Sequence, residues 1–285
     1  MKKLRSPLLS VLAIYILCFI FRMIEYFMIR TDQTLLGEAI IHKIAGIIIL
    51  WIAIKILSTD FEFIGFKRKG IFKNFAFGLL FGISVFAAAY GAEILIAVSQ
   101  GNFQSLQFYV SSYAVDKNIG NQTGILFFLI CIVGNIVNVL MEEGVYRGLF
   151  QKILQQKYKF IAAAIICSIL FGAWHVIGPI RSYYDGMSSM GGMVANIFML
   201  VITSGLVGFK EAMITRLTGS LYMAMGDHFV NNTIVNILHV TSYTGADELM
   251  FVRITIAQSL SFLLVLIFYI WKQKKIGSGS APSGN

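Results

Sequence analysis

Three apolar stretches of the chain carry the groups that hydrolytic chemistry needs. In the first, Asn135, Asn138 and Glu142 recur at helical spacing as one polar stripe, and the string MEEGVYRGLF adds Glu143 and Arg147 four residues apart. Glu143 and Arg147 can pair along one helical face, whereas Glu142, about 100° around the axis, is free to face another helix. The second stretch ends in FGAWH, with Phe171 and His175 at i and i+4. The third reads GDHFVNN, with His228 and Asn232 again at i and i+4 and Asp227 and Asn231 beside them. Splitting an amide requires a base for water, a group that moves the proton, and donors for the developing oxyanion. Glu142 is the candidate base, His175 the group that orients the water or shuttles its proton, and His228 with the Asn232 amide the candidate oxyanion donors. Glu143 and Arg147 would support them, and Phe171 would wall off His175.

These residues must be positioned inside lipid. Of the 285 residues, 57% are hydrophobic and only 13% charged, and the mean hydropathy is +0.77, which excludes an ordinary soluble domain. Apolar runs at about 8–29, 37–57, 74–98, 123–150, 160–177, 192–208, 217–238 and 251–271 each approach the roughly 20 residues that cross a hydrocarbon core. The expected fold is an all-α bundle of eight transmembrane helices, the fourth to seventh enclosing a polar intramembrane cavity. It forms one domain over residues 1–276 with its motif core at 125–237, followed by a small polar tail, GSGSAPSGN, at 277–285. The first run follows a basic start but carries Arg22 and Glu25 and lacks a small-residue cleavage site, so it reads as a retained helix.

The net charge of +9 reflects topology and not nucleic acid, because Lys and Arg cluster between alternate spans. The groups at Lys2, Lys67, Lys152, Lys210 and Lys272 mark one side, and Arg30, Lys117, Arg181 and Arg253 are the sparse cations of the other. Both termini are then cytoplasmic, in an integral multi-pass protein of the plasma membrane. Depth allows the three stretches to meet. Glu142 and His175 lie 16 and 17 residues from a reversal near Tyr158, or about 25 Å each at helical rise, and His228 lies at a similar distance beyond Lys210.

Plainer readings exist for several of these groups. Glu143 with Arg147 can be a buried ion pair and no more; His42 and His239 read as satisfied core residues; Arg22, Glu25 and Glu93 read as gate or packing residues, with packing preferred; and Cys18, Cys131 and Cys167 have no paired spacing. Glu142, His175 and His228 are also a donor set that could take zinc, although HExxH is absent and an Asn amide suits an oxyanion better than a metal. A metal-free mechanism is preferred, with zinc as the alternative. A transporter would show broken helices or repeated halves, and neither is found.

The three motifs resemble those of the CAAX endopeptidase and bacteriocin-processing (CPBP or Abi) family of intramembrane proteases, which read EExxxR, FxxxH and HxxxN. Here they fall on Glu142, Glu143 and Arg147; on Phe171 and His175; and on His228 and Asn232. The resemblance implies an endopeptidase acting on a membrane-associated peptide or protein through a glutamate-activated water. The eukaryotic branch removes a C-terminal tripeptide beside a prenylated cysteine, whereas bacterial relatives are linked to peptide maturation and self-immunity; the short loops here resemble the bacterial branch. A non-catalytic membrane binding or immunity protein using the same cavity is the alternative. The oligomeric state is not encoded in any motif.

Overall fold

The computed structural model describes residues 1–111 and 120–279, with side chains through Lys275. Helix α1 (Pro7–Ile24) continues into a π-helical turn at Glu25–Ile29, and α2 (Ile41–Ile56), α3 (Ile71–Ser99) and the strand β1 (Ser105–Phe108) follow. Helix α4 (Ile125–Glu142) passes into a π-helical segment, Glu143–Phe150, and then into the short α5 (Gln151–Leu154). Next come α6 (Phe160–Trp174), α7 (Ile177–Tyr184), α8 (Met190–Thr218), α9 (Tyr222–Ile237), β2 (Leu238–Thr241) and α10 (Met250–Gly279).

Each of the eight expected spans coincides with one helical element. Six helical stretches are long and apolar enough to cross a membrane, the fourth of them joining α6 and α7 over Phe160–Tyr184, whereas α2 and α9 have 16 residues each, or about 24 Å of rise. Large apolar side chains such as Phe72, Met28, Ile125 and Leu95 point outward, as expected where lipid is the solvent. The protein is thus an all-α polytopic membrane protein, with one addition that the sequence reading lacked. Strands β1 and β2 pair antiparallel, Ser105 opposite Thr241 through Phe108 opposite Leu238, and join the ends of α3 and α9.

Glycine sets how closely the central helices approach. A Cβ at Gly78 of α3 would lie 2.2 Å from the Met223 carbonyl oxygen, and one at Gly226 of α9 would lie 2.5 Å from that of Phe75. The two helices therefore cross backbone to backbone, one residue before Asp227 and two before His228. Gly172 does the same for α6 against α8, where its Cβ would meet the Val201 carbonyl at 2.3 Å.

Several cations assigned from sequence to loops are instead buried partners. Lys210 lies within α8, where its ammonium donates to Asp227 Oδ2 at 2.5 Å. Arg181 donates to Asp32 at 2.6 Å and Arg253 to Glu93 at 2.6 Å; all three side chains are at most 2% exposed. The charge-clustering rule treats every Lys or Arg as a solvated marker, and these three have a carboxylate within the protein. Arg30 is partly exposed and pairs with Asp185, and Lys117 lies outside the described residues.

Glu93, expected as a packing residue, is one end of a charged cap at this side of the molecule. Arg253 also donates to Asp247 Oδ2 at 2.7 Å, and His239 meets the same oxygen through Nδ1 at 3.1 Å. The His239 ring stacks on Tyr109 with centroids 3.8 Å apart, and its Nε2 donates to the Tyr109 carbonyl at 3.1 Å. Burial raises the affinity of the Asp247 carboxyl for its proton, but the His239 and Arg253 contacts outweigh it and hold the group below the usual aspartate range. Cys18, Cys131 and Cys167 are buried, as packing residues would be.

Candidate active site

The end of α4, the end of α6 and the middle of α9 supply the site. Along α4 the stripe Asn135, Asn138 and Glu142 is buried, and Asn138 Nδ2 donates to Glu142 Oε2 at 3.2 Å. The helix then changes pitch. In the π-helical segment each turn takes up an extra residue, and both acids of the motif reach one imidazole: His228 Nδ1 lies 2.8 Å from Glu143 Oε1 and His228 Nε2 lies 3.5 Å from Glu142 Oε2. The sequence reading turned Glu142 toward another helix and left Glu143 to Arg147 alone; Glu143 in fact serves both. Its Oε2 is 3.4 Å from Arg147 Nε.

Hydrogen-bond chemistry fixes both histidines. A carbonyl oxygen can only accept, so the 2.9 Å contact from His175 Nδ1 to the Phe171 carbonyl places a proton on Nδ1 and leaves Nε2 free. By the same logic His228 Nδ1–H donates to the accepting Glu143 carboxylate, and Nε2 faces Glu142. Phe171 is the wall between these groups. Its ring lies edge-on to His175 at 5.0 Å and to His228 at 6.2 Å. The Arg147 guanidinium sits 4.0 Å over the ring centroid, and its terminal nitrogens make no hydrogen bond to the described residues. A desolvated cation over an aromatic face is worth about 2 kcal/mol.

Asn232 lies one turn beyond His228 on α9, on the same helix face. Its Oδ1 accepts from Asn231 Nδ2 at 3.0 Å, which leaves its own Nδ2 as the outward group, the sense an oxyanion donor needs. His175 and Asn232 are partly exposed, while Glu142 and His228 are 3% and 4% exposed. Glu142 and His228 are therefore packed against one another in the polar centre, and His175 and Asn232 are its more accessible members.

The reversal before α9 is at Gly219–Leu221 and not at Lys210, so His228 lies only six residues beyond Tyr222. It still meets Glu142 because the α8–α9 turn is itself sunk in the bundle. Leu221 is fully buried, its N–H donates to the Gly65 carbonyl at 3.0 Å, and it packs against Gly148.

A second buried cluster adjoins the site and was read from sequence as packing. Glu25 Oε1 and Oε2 accept from the backbone N–H groups of Ile41 and His42 at 2.8 and 2.6 Å, so α1 caps the start of α2. His42 Nδ1 donates to Glu25 Oε2 at 2.5 Å and His42 Nε2 accepts from Arg22 at 3.1 Å. Arg22 in turn lies 4.6 Å over the ring of Trp174, the neighbour of His175. The signal was available in sequence as an Arg, a Glu and a His in two consecutive apolar runs.

With both Nδ1 atoms held by other groups and both Nε2 atoms turned away from those groups, His175, His228 and Glu142 have the donor chemistry of a zinc site. Their placement does not fit it: among the described residues no three His, Cys, Asp or Glu side chains gather closely enough to hold a metal ion.

Comparison with protein families gives a match over residues 124–234 to the family described as type II CAAX prenyl endopeptidase Rce1-like. The matched segment holds every motif residue from Glu142 to Asn232. No curated protein matches the chain.

Proposed function

We propose that the protein, whose residues 124–234 match the family described as type II CAAX prenyl endopeptidase Rce1-like, is an intramembrane endopeptidase that cleaves a membrane-associated peptide or protein with water activated by Glu142. The observation that carries this reading is the line Glu142, His228, Glu143, Arg147, in which acid and base alternate through contacts of 3.5, 2.8 and 3.4 Å. Two lone pairs cannot face one another, so Glu142 Oε2 and His228 Nε2 carry one proton between them.

Water bound beside Glu142 gives its proton to the carboxylate and attacks the carbonyl carbon; the free Nε2 of His175 accepts from that water and aims it. As the C=O bond becomes a C–O⁻ bond, the Asn232 Nδ2–H and the His228 Nε2–H donate to the oxygen. Glu143 keeps the imidazole turned so that Nε2 faces the reaction. When the tetrahedral intermediate collapses, the C–N bond breaks and the amine takes the proton held by Glu142. The catalytic set is then Glu142, His175, His228 and Asn232, with Glu143, Arg147 and Phe171 as supports. In this reading both termini lie on the cytoplasmic side of a bacterial plasma membrane, and the substrate enters from that side or laterally between helices.

The test is cleavage of a quenched fluorescent library of membrane-anchored peptides by purified protein. Wild type, Glu142→Gln, Cys131→Ser and chelator-treated wild type are compared at equal folded concentration. Turnover lost in Glu142→Gln but kept in Cys131→Ser and after chelation supports the proposal. Loss on chelation with recovery on adding Zn²⁺ replaces it with a metalloprotease. Equal cleavage by wild type and Glu142→Gln refutes it, and no cleavage by any sample favours the binding or immunity protein.

A further inference from the structure

The outward amide of Asn232 is the last member of a chain of three amides that begins at a buried cation. Lys210 on α8 is held by Asp227 at 2.5 Å and by Ser261 at 3.3 Å, and it also donates to Gln258 Oε1 on α10 at 3.4 Å. An ammonium has donors only, so the atom of Gln258 that faces it is the oxygen. The Gln258 Nε2 then points away and donates to Asn231 Oδ1 at 2.6 Å. That contact in turn commits Asn231 Nδ2 to Asn232 Oδ1 at 3.0 Å. A side-chain amide has one accepting and one donating end, so each link passes its sense to the next. The cation at the origin decides that Asn232 presents N–H to the site and not C=O.

We infer that Lys210, acting through Gln258 and Asn231, sets the orientation of the Asn232 amide, and that Gln258 and Asn231 are positioning residues for the oxyanion. The inference rests on the endopeptidase reading for its consequence in catalysis, but the orientation itself does not. None of the three motifs includes Lys210 or Gln258. Chains of aligned hydrogen bonds also polarise one another, so the terminal N–H is a stronger donor than that of a free asparagine.

The substitution that separates this role from packing is Gln258→Glu. Both oxygens of a glutamate accept, and Lys210 keeps it ionised, so Asn231 must turn its Nδ2 toward position 258 and its Oδ1 toward Asn232. Asn232 then turns as well and presents its oxygen to the substrate. Losing one oxyanion donor lowers kcat about 100-fold or more. The expected result is a fall of that size with KM unchanged in Gln258→Glu, although the new side chain has nearly the shape of the old one. Gln258→Leu imposes no sense on Asn231, and its kcat is expected to fall by no more than about 10-fold, as Asn232 retains the choice of either orientation. A packing role ranks the two substitutions the other way.

Asparagine-selective ¹⁵N labelling gives a readout without turnover. The side-chain amide signals of Asn231 and Asn232 are identified by their loss in Asn231→Leu and Asn232→Leu. Both are expected to move in Gln258→Glu. An unmoved Asn232 signal overturns the inference, as does a Gln258→Glu enzyme within threefold of wild type when Glu142→Gln is inactive, or a Gln258→Leu enzyme as slow as Gln258→Glu. Cleavage that survives Glu142→Gln removes the endopeptidase reading, and the amide signals then decide the orientation by themselves.

Discussion

Glu142→Gln and Glu143→Gln differ by one position in a repeated letter, and the structure predicts opposite consequences for them. Glu142 accepts one hydrogen bond of 3.2 Å from Asn138 and lies 3.5 Å from His228; a glutamine oxygen can still accept from Asn138. The loss of stability is about 1 kcal/mol or less, the size of one ordinary hydrogen bond. Glu143 is fully buried and serves two partners, His228 at 2.8 Å and Arg147 at 3.4 Å. A glutamine there can accept from His228 only by turning its NH₂ group toward Arg147, which leaves the guanidinium buried without its carboxylate. Breaking such a pair costs about 3–5 kcal/mol. At roughly 2–4 °C per kcal/mol for a chain of this order, the Tm of Glu143→Gln falls by about 6–20 °C and that of Glu142→Gln by no more than about 4 °C. Thermal unfolding in detergent, followed by the fluorescence of buried Trp174, measures both. Equal shifts in the two variants, or an unshifted Glu143→Gln, would refute the assignment of Glu143 as the hinge between His228 and Arg147.

The glycine crossing gives another expectation: Gly226→Val places its branches against the Phe75 carbonyl, so α9 must move away from α3 and carry His228 with it. The variant should lose folded yield in size-exclusion chromatography, whereas Gly91→Val, where a Cβ meets nothing within 4 Å, should behave as wild type. The charged cap gives a pH dependence. Because the folded Asp247 carboxyl binds its proton less readily than in the unfolded chain, its contribution is present above the ordinary aspartate value of about 3.9 and lost as the pH falls through the lower folded value. Asp247→Asn should lower Tm at pH 7 and narrow the gap to wild type as the medium is acidified; a gap that is constant with pH would count against the cap.

The helices were legible in sequence because apolar runs about 20 residues long have one stable form in lipid, and each expected run became one helix. The three motifs were legible because polar residues at helical spacing stand out in such runs. Other features were not. The π-helical segment at Glu143–Phe150 leaves no mark in composition, yet it is what lets adjacent acids reach opposite nitrogens of His228. The pairing of Lys210, Arg181 and Arg253 with acids far along the chain was hidden because a buried cation and a loop cation are the same letter. An adjacent Lys210–Glu211 pair inside an otherwise apolar run was the available hint that α8 continues past that point.

The contact between Arg22 and Trp174 has a bearing on where the functional unit ends. The matched family segment begins at residue 124, but the indole beside His175 is covered by a guanidinium from α1, and that guanidinium is held by a histidine of α2 whose helix starts on Glu25. The first hairpin is therefore a clamp on the neighbour of a candidate catalytic histidine. A fragment cut at residue 124 would keep every motif letter and lose the grip on Trp174.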